Sequence, residues 1–324
     1  MLRRGVVVAV TLGDPAGTVL VLRALGLGDL LTGIPALRGL RRAFPAAWVV
    51  LATRADLAPL AKFCGAVDDV VPTAGLGELR WDGPSPELAV NLHGSGPESI
   101  ADLIITRPKL VISHRNPSYP DLCGPPWRDE VHEVDRWCGL LGSAGISCDP
   151  EDLGLGRPAG YPYRRDVVVI HPGAAYPSRR WPAERFAQVA AALHSSGHGV
   201  VVTGSLAEKE LAETVARQAG VAQSAVLAGE LDVLGMVALI TDCRLLICGD
   251  TGVGHIATAT GTPSVLLFGP TPPSRWGPRG RGRHVAVWAG DCGDPHADHP
   301  HRGLLLITPS RVLAASRQIL AEVA

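Results

Sequence analysis

The chain has 324 residues, 46% hydrophobic and 19% charged, with a formal net charge of −1. That length exceeds the usual span of one hydrophobic core and predicts two domains, while the near-neutral balance offers no global field for nucleic acid or an anionic membrane. The seven cysteines (Cys64, Cys123, Cys138, Cys148, Cys243, Cys248, Cys292) never fall as Cys-x-x-Cys, which suits neither a disulfide framework nor a structural zinc and reads as the reduced thiols of a cytoplasmic protein.

Arg3 and Arg4 precede the apolar run Val6–Val10, a faint likeness to a signal peptide that stops too early at Asp14 and Pro15. No apolar stretch approaches the ~20 residues a membrane span needs. Val19–Arg23 then reads as a strand, and Gly26-Leu27-Gly28-Asp29 as a glycine turn opening a helix. In that helix Ile34, Leu37, Leu40 and Phe44 share one side. Arg38, Arg41 and Arg42 take the other, either as a solvated face or as a surface that steers an anionic acceptor or touches headgroups. Short apolar runs at Trp48–Ala52, Asp69–Val71, Leu88–Leu92 and Leu110–Ser113 alternate with helical pieces such as Pro97–Thr106 and Asp129–Leu141, the βα rhythm of a parallel sheet.

Proline, glycine and charge dominate Cys148–Arg165, so the linker is expected there and the domain boundary near residue 155. A second series follows, with strands expected at Val167–His171, Val200–Thr203, Ala225–Leu227, Leu245–Cys248 and, last, Ser264–Phe268. Helices are expected at 184–193, 207–219, 231–240 and 254–260, and Pro309–Ala324 reads as an amphipathic helix. The fold class is α/β, two successive doubly wound domains.

Four loops after strand ends carry chemistry. Gly26, Gly28 and Asp29 form an incomplete dinucleotide fingerprint, with Leu31 where a third glycine would stand; Asp29 caps its helix or places a carboxylate at a ligand. His171-Pro172-Gly173 leads to Arg179 and Arg180, either guanidiniums for phosphate or a basic loop anchored by Trp181. Asp250-Thr251-Gly252 with Gly254 and His255 aims a helix start at an anion. Phe268–Pro273 with Arg275–Pro278 is a rigid loop or a plain turn. Asp291, Cys292, Asp294, His296, Asp298, His299 and His301 crowd one further loop, but their spacing fits no zinc signature, and no metal is assigned.

Taken in order, Leu22 through Asp29 with Pro35-Ala36-Leu37, His171-Pro172-Gly173 with Arg180-Trp181-Pro182, Asp250-Thr251-Gly252 with His255, and Phe268–Thr271 resemble glycosyltransferase family 9, whose best-known members move heptose from ADP-heptose to lipopolysaccharide core. The resemblance covers nearly the whole chain. It implies a GT-B fold: two Rossmann-like domains facing across a cleft, residues 1–155 holding the acceptor and 156–308 the nucleotide sugar, with helix 309–324 crossing back to the first domain. It implies an inverting transferase in which Asp29 is the catalytic base, Arg179, Thr251, Gly252 and His255 hold the diphosphate, and Glu208 contacts the nucleoside. It also implies supporting roles for Gly26, Gly28, His171, Gly173 and Asp250.

The chain contains no Asp-x-Asp, so neither cofactor nor metal is expected. Ala174 and Ala175 depart from the hydroxyl pair of the ADP-heptose enzymes, which leaves the donor sugar open. The expected partners are a nucleotide sugar and a glycan, glycolipid or small-molecule acceptor, with no nucleic acid and at most weak peripheral membrane contact. Two other readings stand beside this one: a noncatalytic nucleotide-sugar-binding protein, and an NAD(P)-dependent oxidoreductase that would explain the strand–helix rhythm alone.

Overall fold

A computed structural model describes residues 10–280 and 282–322. The basic start and the run from Val6 to Ala9 lie outside the described residues, as do the last two positions of the terminal helix as expected. Backbone packing divides the chain between Leu153 and Gly154, inside the stretch read as a linker.

The first unit runs β1 (Thr18–Leu22), α1 (Leu27–Ala43), β2 (Trp48–Thr53), α2 (Ala58–Phe63), β3 (Asp69–Pro72), β4 (Leu88–Asn91), α3 (Pro97–Ile104), β5 (Leu110–Ile112) and α4 (Glu133–Ser143). Its strands lie parallel in the order β3-β2-β1-β4-β5. Val19, Leu20, Val21 and Leu22 are wholly buried, as an all-parallel strand covered on both faces must be, which is why the sequence shows a continuous apolar run rather than alternation. After β1 the chain moves outward to one side and then returns to the other, so the loops after β1 and β4 meet at the switch point, with Leu22 in register with Asn91.

The second unit repeats the plan: β6 (Val167–His171), α5 (Ala183–Ser195), β7 (Gly199–Val202), α6 (Lys209–Ala219), α7 (Val233–Asp242), β8 (Leu245–Gly249), α8 (Gly252–Thr260), β9 (Ser264–Phe268), α9 (Pro273–Trp276), β10 (His284–Trp288), α10 (Arg302–Leu305) and α11 (Pro309–Glu322). The parallel order is β10-β9-β8-β6-β7, and the switch point lies between β6 and β8, with His171 in register with Cys248. Ile170, Phe186, Val202, Val215, Ile247 and Leu267 fill its core.

Several expectations need correction. Ala225–Leu227 is no strand: Gln223–Ala225 makes a 3-10 turn and only Val226 bridges to Val202, because the run is too short to continue a ladder. Ser264–Phe268 is not the last strand, since β10 pairs outside it from His284↔Ser264 to Trp288↔Phe268. The terminal helix packs on α5, β8 and β9, where Val312, Ile319 and Leu320 join the core. The arginine face of α1 is largely tied up in ion pairs: Arg38 and Arg42 share Asp152, and Arg41 pairs with Asp68. Among the described residues no helix is long and apolar enough to cross a membrane.

Candidate functional site

Gly26 is the extended N-cap of α1 (φ −79°, ψ 179°), which puts Asp29 in the helix's first turn. Its Oδ2 accepts the Gly26 backbone N–H at 3.1 Å, and its Oδ1 lies 3.7 Å from Arg23 Nη2. The capping bond is therefore made, yet the side chain remains 27% exposed, so capping and chemistry are compatible. The Gly28 carbonyl accepts from Thr32 Oγ1 at 3.0 Å.

Beneath Asp29 lies a buried charge network. Arg23, at the end of β1, is wholly buried and donates from Nε to the Asp29 carbonyl and from Nη1 to the Leu92 carbonyl. Its Nη2 donates to Thr32 Oγ1 and to Glu133 Oε1, each at 3.1 Å. Glu133 also accepts from Arg136 Nε at 3.0 Å and Trp137 Nε1 at 2.8 Å. Burial works to raise the Glu133 carboxyl, but the Arg23 and Arg136 guanidiniums outweigh it and hold it below the ordinary glutamate range. On the neighbouring loop burial, helped by the Arg23 charge, pushes His93 down to about 4, so its ring is neutral at pH 7, and its Nδ1 has no hydrogen-bond partner among the described residues.

In the second unit the candidate anion site is the turn from β8 to α8. Thr251 is the extended N-cap (φ −149°, ψ 163°) and its hydroxyl makes no capping bond; its carbonyl takes the Gly254 N–H at 3.0 Å, and the helix start presents the N–H groups of Gly252 and Val253. A Cβ on Gly249 would stand 3.0 Å from the Arg179 carbonyl, so a larger residue would push this turn away from the 3-10 turn Pro177–Arg179 by a few tenths of an ångström. Asp250 is buried; burial pushes its carboxyl up to about 6, with the Arg179 charge opposing. The His255 ring meets Trp276 edge-on at 5.8 Å, and both line a shallow open pocket with Asp250, Thr251, Thr258 and Phe268.

Beside it, on the β7 side of β6, His171 Nδ1 lies 3.1 Å from Thr203 Oγ1. Glu208 Oε2 accepts from both the backbone N–H and the hydroxyl of Ser205, each at 2.8 Å. Burial opposes ionisation of Glu208, but the Ser205 bonds outweigh it and keep the carboxyl below its ordinary range. A Cβ on Gly173 would fall 2.2 Å from Glu208 Oε1, so the carboxylate sits directly over that glycine. The structure thus brings Arg179, Asp250, Thr251, Gly252 and His255 together, with His171, Gly173 and Glu208 as a second group along the same sheet edge.

The pattern of glycosyltransferase family 9 (heptosyltransferase) matches residues 147–296, the stretch that carries both groups. This segment belongs to glycosyltransferase family 9. Lipooligosaccharide heptosyltransferase 2 of Haemophilus ducreyi is 32% identical over 174 residues, 48% of this chain and 48% of that protein. The chain spans about half the length of the curated relatives it matches. The backbone is similar to the family 9 glycosyltransferase of Veillonella parvula, with TM-score 0.77 and 20% identity over 95% of this chain and 100% of that one. It is similar also to E. coli ADP-heptose lps heptosyltransferase II, with TM-score 0.72 and 23% identity over 94% and 99%. These likenesses show the fold, GT-B with two Rossmann-like domains.

The Asp- and His-rich loop, residues 291–301, forms no group of three ligating side chains suited to a metal among the described residues. Its members have local work. Asp291 takes both Nε and Nη2 of Arg302, His301 Nδ1 accepts the Gly303 N–H at 3.2 Å, and His296 stacks edge-on with Tyr176 at 4.7 Å. Ser178 donates its hydroxyl to the Pro295 carbonyl at 2.7 Å and its N–H to the Ala297 carbonyl at 3.2 Å, fastening this loop to the turn that bears Arg179. Sequence reading missed Glu133 as a site residue and quoted Arg23 without giving it a role. The available signal was an arginine closing a buried apolar strand, which requires a carboxylate and carbonyls around it.

Proposed function

We propose that this chain is an inverting glycosyltransferase that moves a sugar from a nucleoside diphosphate to an acceptor hydroxyl without a cofactor or divalent cation. The observation that carries this reading is the α8 N-terminus, with no side-chain cap and beside Arg179, in a segment of family 9. The ADP-heptose named for the E. coli structure makes that compound the first donor to try. The acceptor is a glycan, glycolipid or small molecule.

Asp29 accepts the proton of the acceptor hydroxyl while that oxygen bonds to the anomeric carbon. The bond from that carbon to the diphosphate breaks on the opposite face, its electron pair leaving with the phosphate oxygen, so configuration inverts through an oxocarbenium-like state. The Asp29 anion is stabilised by the helix start and by Arg23, so positioning rather than basicity supplies much of the rate. The growing phosphate charge meets the first-turn N–H groups of α8, Arg179 and His255, which supply positive potential in a chain without Asp-x-Asp. Glu208 accepts hydrogen bonds from the ribose hydroxyls. Calorimetric titration with ADP, UDP, GDP and their sugar conjugates, with and without chelator, tests the donor half. Asp29→Asn is expected to bind donor as the parent does and to lose turnover by at least about 100-fold, in line with loss of a general base. Near-parental turnover in that variant, or strict dependence on added metal, would contradict the mechanism.

A further inference from the structure

The base proposed above is held by a buried pair, Arg23 and Glu133. We infer that Glu133, acting through Arg23, is a positioning residue for Asp29, and that α4 therefore sets the geometry of the base. The inference rests on the assignment of Asp29.

Arg23 grips Asp29 twice, through Nε on its backbone carbonyl and through Nη2 near its Oδ1. The same Nη2 is shared with Thr32 and Glu133, and the Trp137 ring lies 4.8 Å below the guanidinium carbon. An arginine has many rotamers; this one is held by the Asp29 and Leu92 carbonyls, Thr32, Glu133 and the Trp137 ring. Glu133 is fixed in turn. The His132 side chain accepts the Val134 N–H at 3.2 Å and so sets where α4 begins, which puts Glu133 at its first helical position. Glu133 then spans Arg23, Arg136 and Trp137 with two oxygens.

The network is also balanced in charge. Arg23 and Arg136 are met by Glu133 and Asp29, so Glu133 keeps the whole Arg23 charge from falling on the base. With Glu133 neutral, Asp29 is the carboxylate still paired with Arg23, which turns more fully toward it. That would draw the base down toward the protein interior and bind its anion more tightly, both of which slow proton removal.

The experiment compares Glu133→Gln, Glu133→Asp and Trp137→Phe with the parent full-length chain, using the donor and acceptor pair that supports turnover. The expected result for Glu133→Gln is a kcat loss of about 10- to 100-fold with donor Kd and acceptor KM within about twofold, because misplacement of a catalytic group by about 1 Å acts on the chemical step. Glu133→Asp keeps the charge and recovers part of that loss. Trp137→Phe removes one donor to Glu133 and keeps an aromatic ring beside Arg23, so it gives a smaller loss in the same direction. It also serves as the deciding variant if Glu133→Gln does not fold. Parental kcat in both Glu133→Gln and Trp137→Phe, alongside an inactive Asp29→Asn, would overturn the inference and leave the base assignment standing. Losses that appear in KM and donor binding as much as in kcat would also overturn it, pointing to a structural role alone. Turnover retained by Asp29→Asn would remove the base reading, and the positioning with it.

Discussion

Gly173→Ala isolates the contribution of Glu208 without touching that carboxylate. A Cβ at position 173 would stand 2.2 Å from Glu208 Oε1, 2.3 Å from its Cδ and 2.6 Å from its Oε2, whereas ordinary contact begins at 3.4 Å. The carboxylate must retreat by about 1 Å, far enough to forfeit most of an optimised contact. Retreat draws Oε2 off the Ser205 N–H and hydroxyl, each at 2.8 Å, and off the place where ribose hydroxyls would meet it. Glu208 is only half-buried and Gly173 does not have a left-handed backbone, so the side chain swings out and the fold survives. The loss falls on binding instead. Hydrogen bonds to a charged group contribute about 1.5–3 kcal/mol, which corresponds to a weakening of about 10- to 150-fold in Kd. Calorimetric titration with ADP of the parent, Gly173→Ala, Glu208→Ala and the double variant measures it. If the clash acts through Glu208, the double variant binds no more weakly than Glu208→Ala. Unchanged ADP affinity in Gly173→Ala, or fully additive losses, would refute the reasoning.

Two further outcomes follow from burial. The Asp250 carboxyl titrates near 6 in the folded chain against an ordinary 3.8, so the folded state holds the proton more tightly and stability falls as pH rises between those values. Asp250→Asn should therefore raise stability at pH 7 by up to about 3 kcal/mol and by almost nothing below pH ~4; urea unfolding across that range would show a gap independent of pH if the burial argument fails. Trp181 is 2% exposed, donates Nε1 to the Ile307 carbonyl at 3.1 Å and meets Phe186 edge-on at 4.9 Å. Trp181→Ala should destabilise the second unit by about 3–5 kcal/mol, as emptying a large core site does, and a thermal midpoint within a degree or two of the parent would contradict that.

The strands most legible in the sequence are the most buried ones. Val167–His171 and Ser264–Phe268 stand where their unbroken apolar runs place them, since a parallel strand covered on both faces leaves no alternation to misread. β10 carries an apolar run, Val285–Trp288, that sequence reading passed over; as an edge strand it leaves His284, Val285 and Ala286 partly open. Ala225–Leu227 misled for the opposite reason: three apolar residues are enough to suggest a strand, but a single bridge to Val202 is all the neighbouring geometry allows. The glycine turns at Gly26–Asp29 and Asp250–Gly254 were readable because each is a local device, a turn followed by a helix start, whose parts lie within a few residues of one another.

What the sequence by itself determined is this local grammar: two series of strand, loop and helix, and the loops at which ligands could bind. Only the tertiary structure decided which distant groups meet there. Arg23 pairs with Glu133 across 110 residues, and Glu208 comes to rest over Gly173, because the parallel sheets bring the strand ends together along one edge. The same holds for α11, whose apolar stripe is plain in the sequence while its docking surface on α5, β8 and β9 is not. Helical and extended periodicity follow from steric limits acting within a few residues, whereas a buried charge finds its partner only where the packed chain leaves it no water.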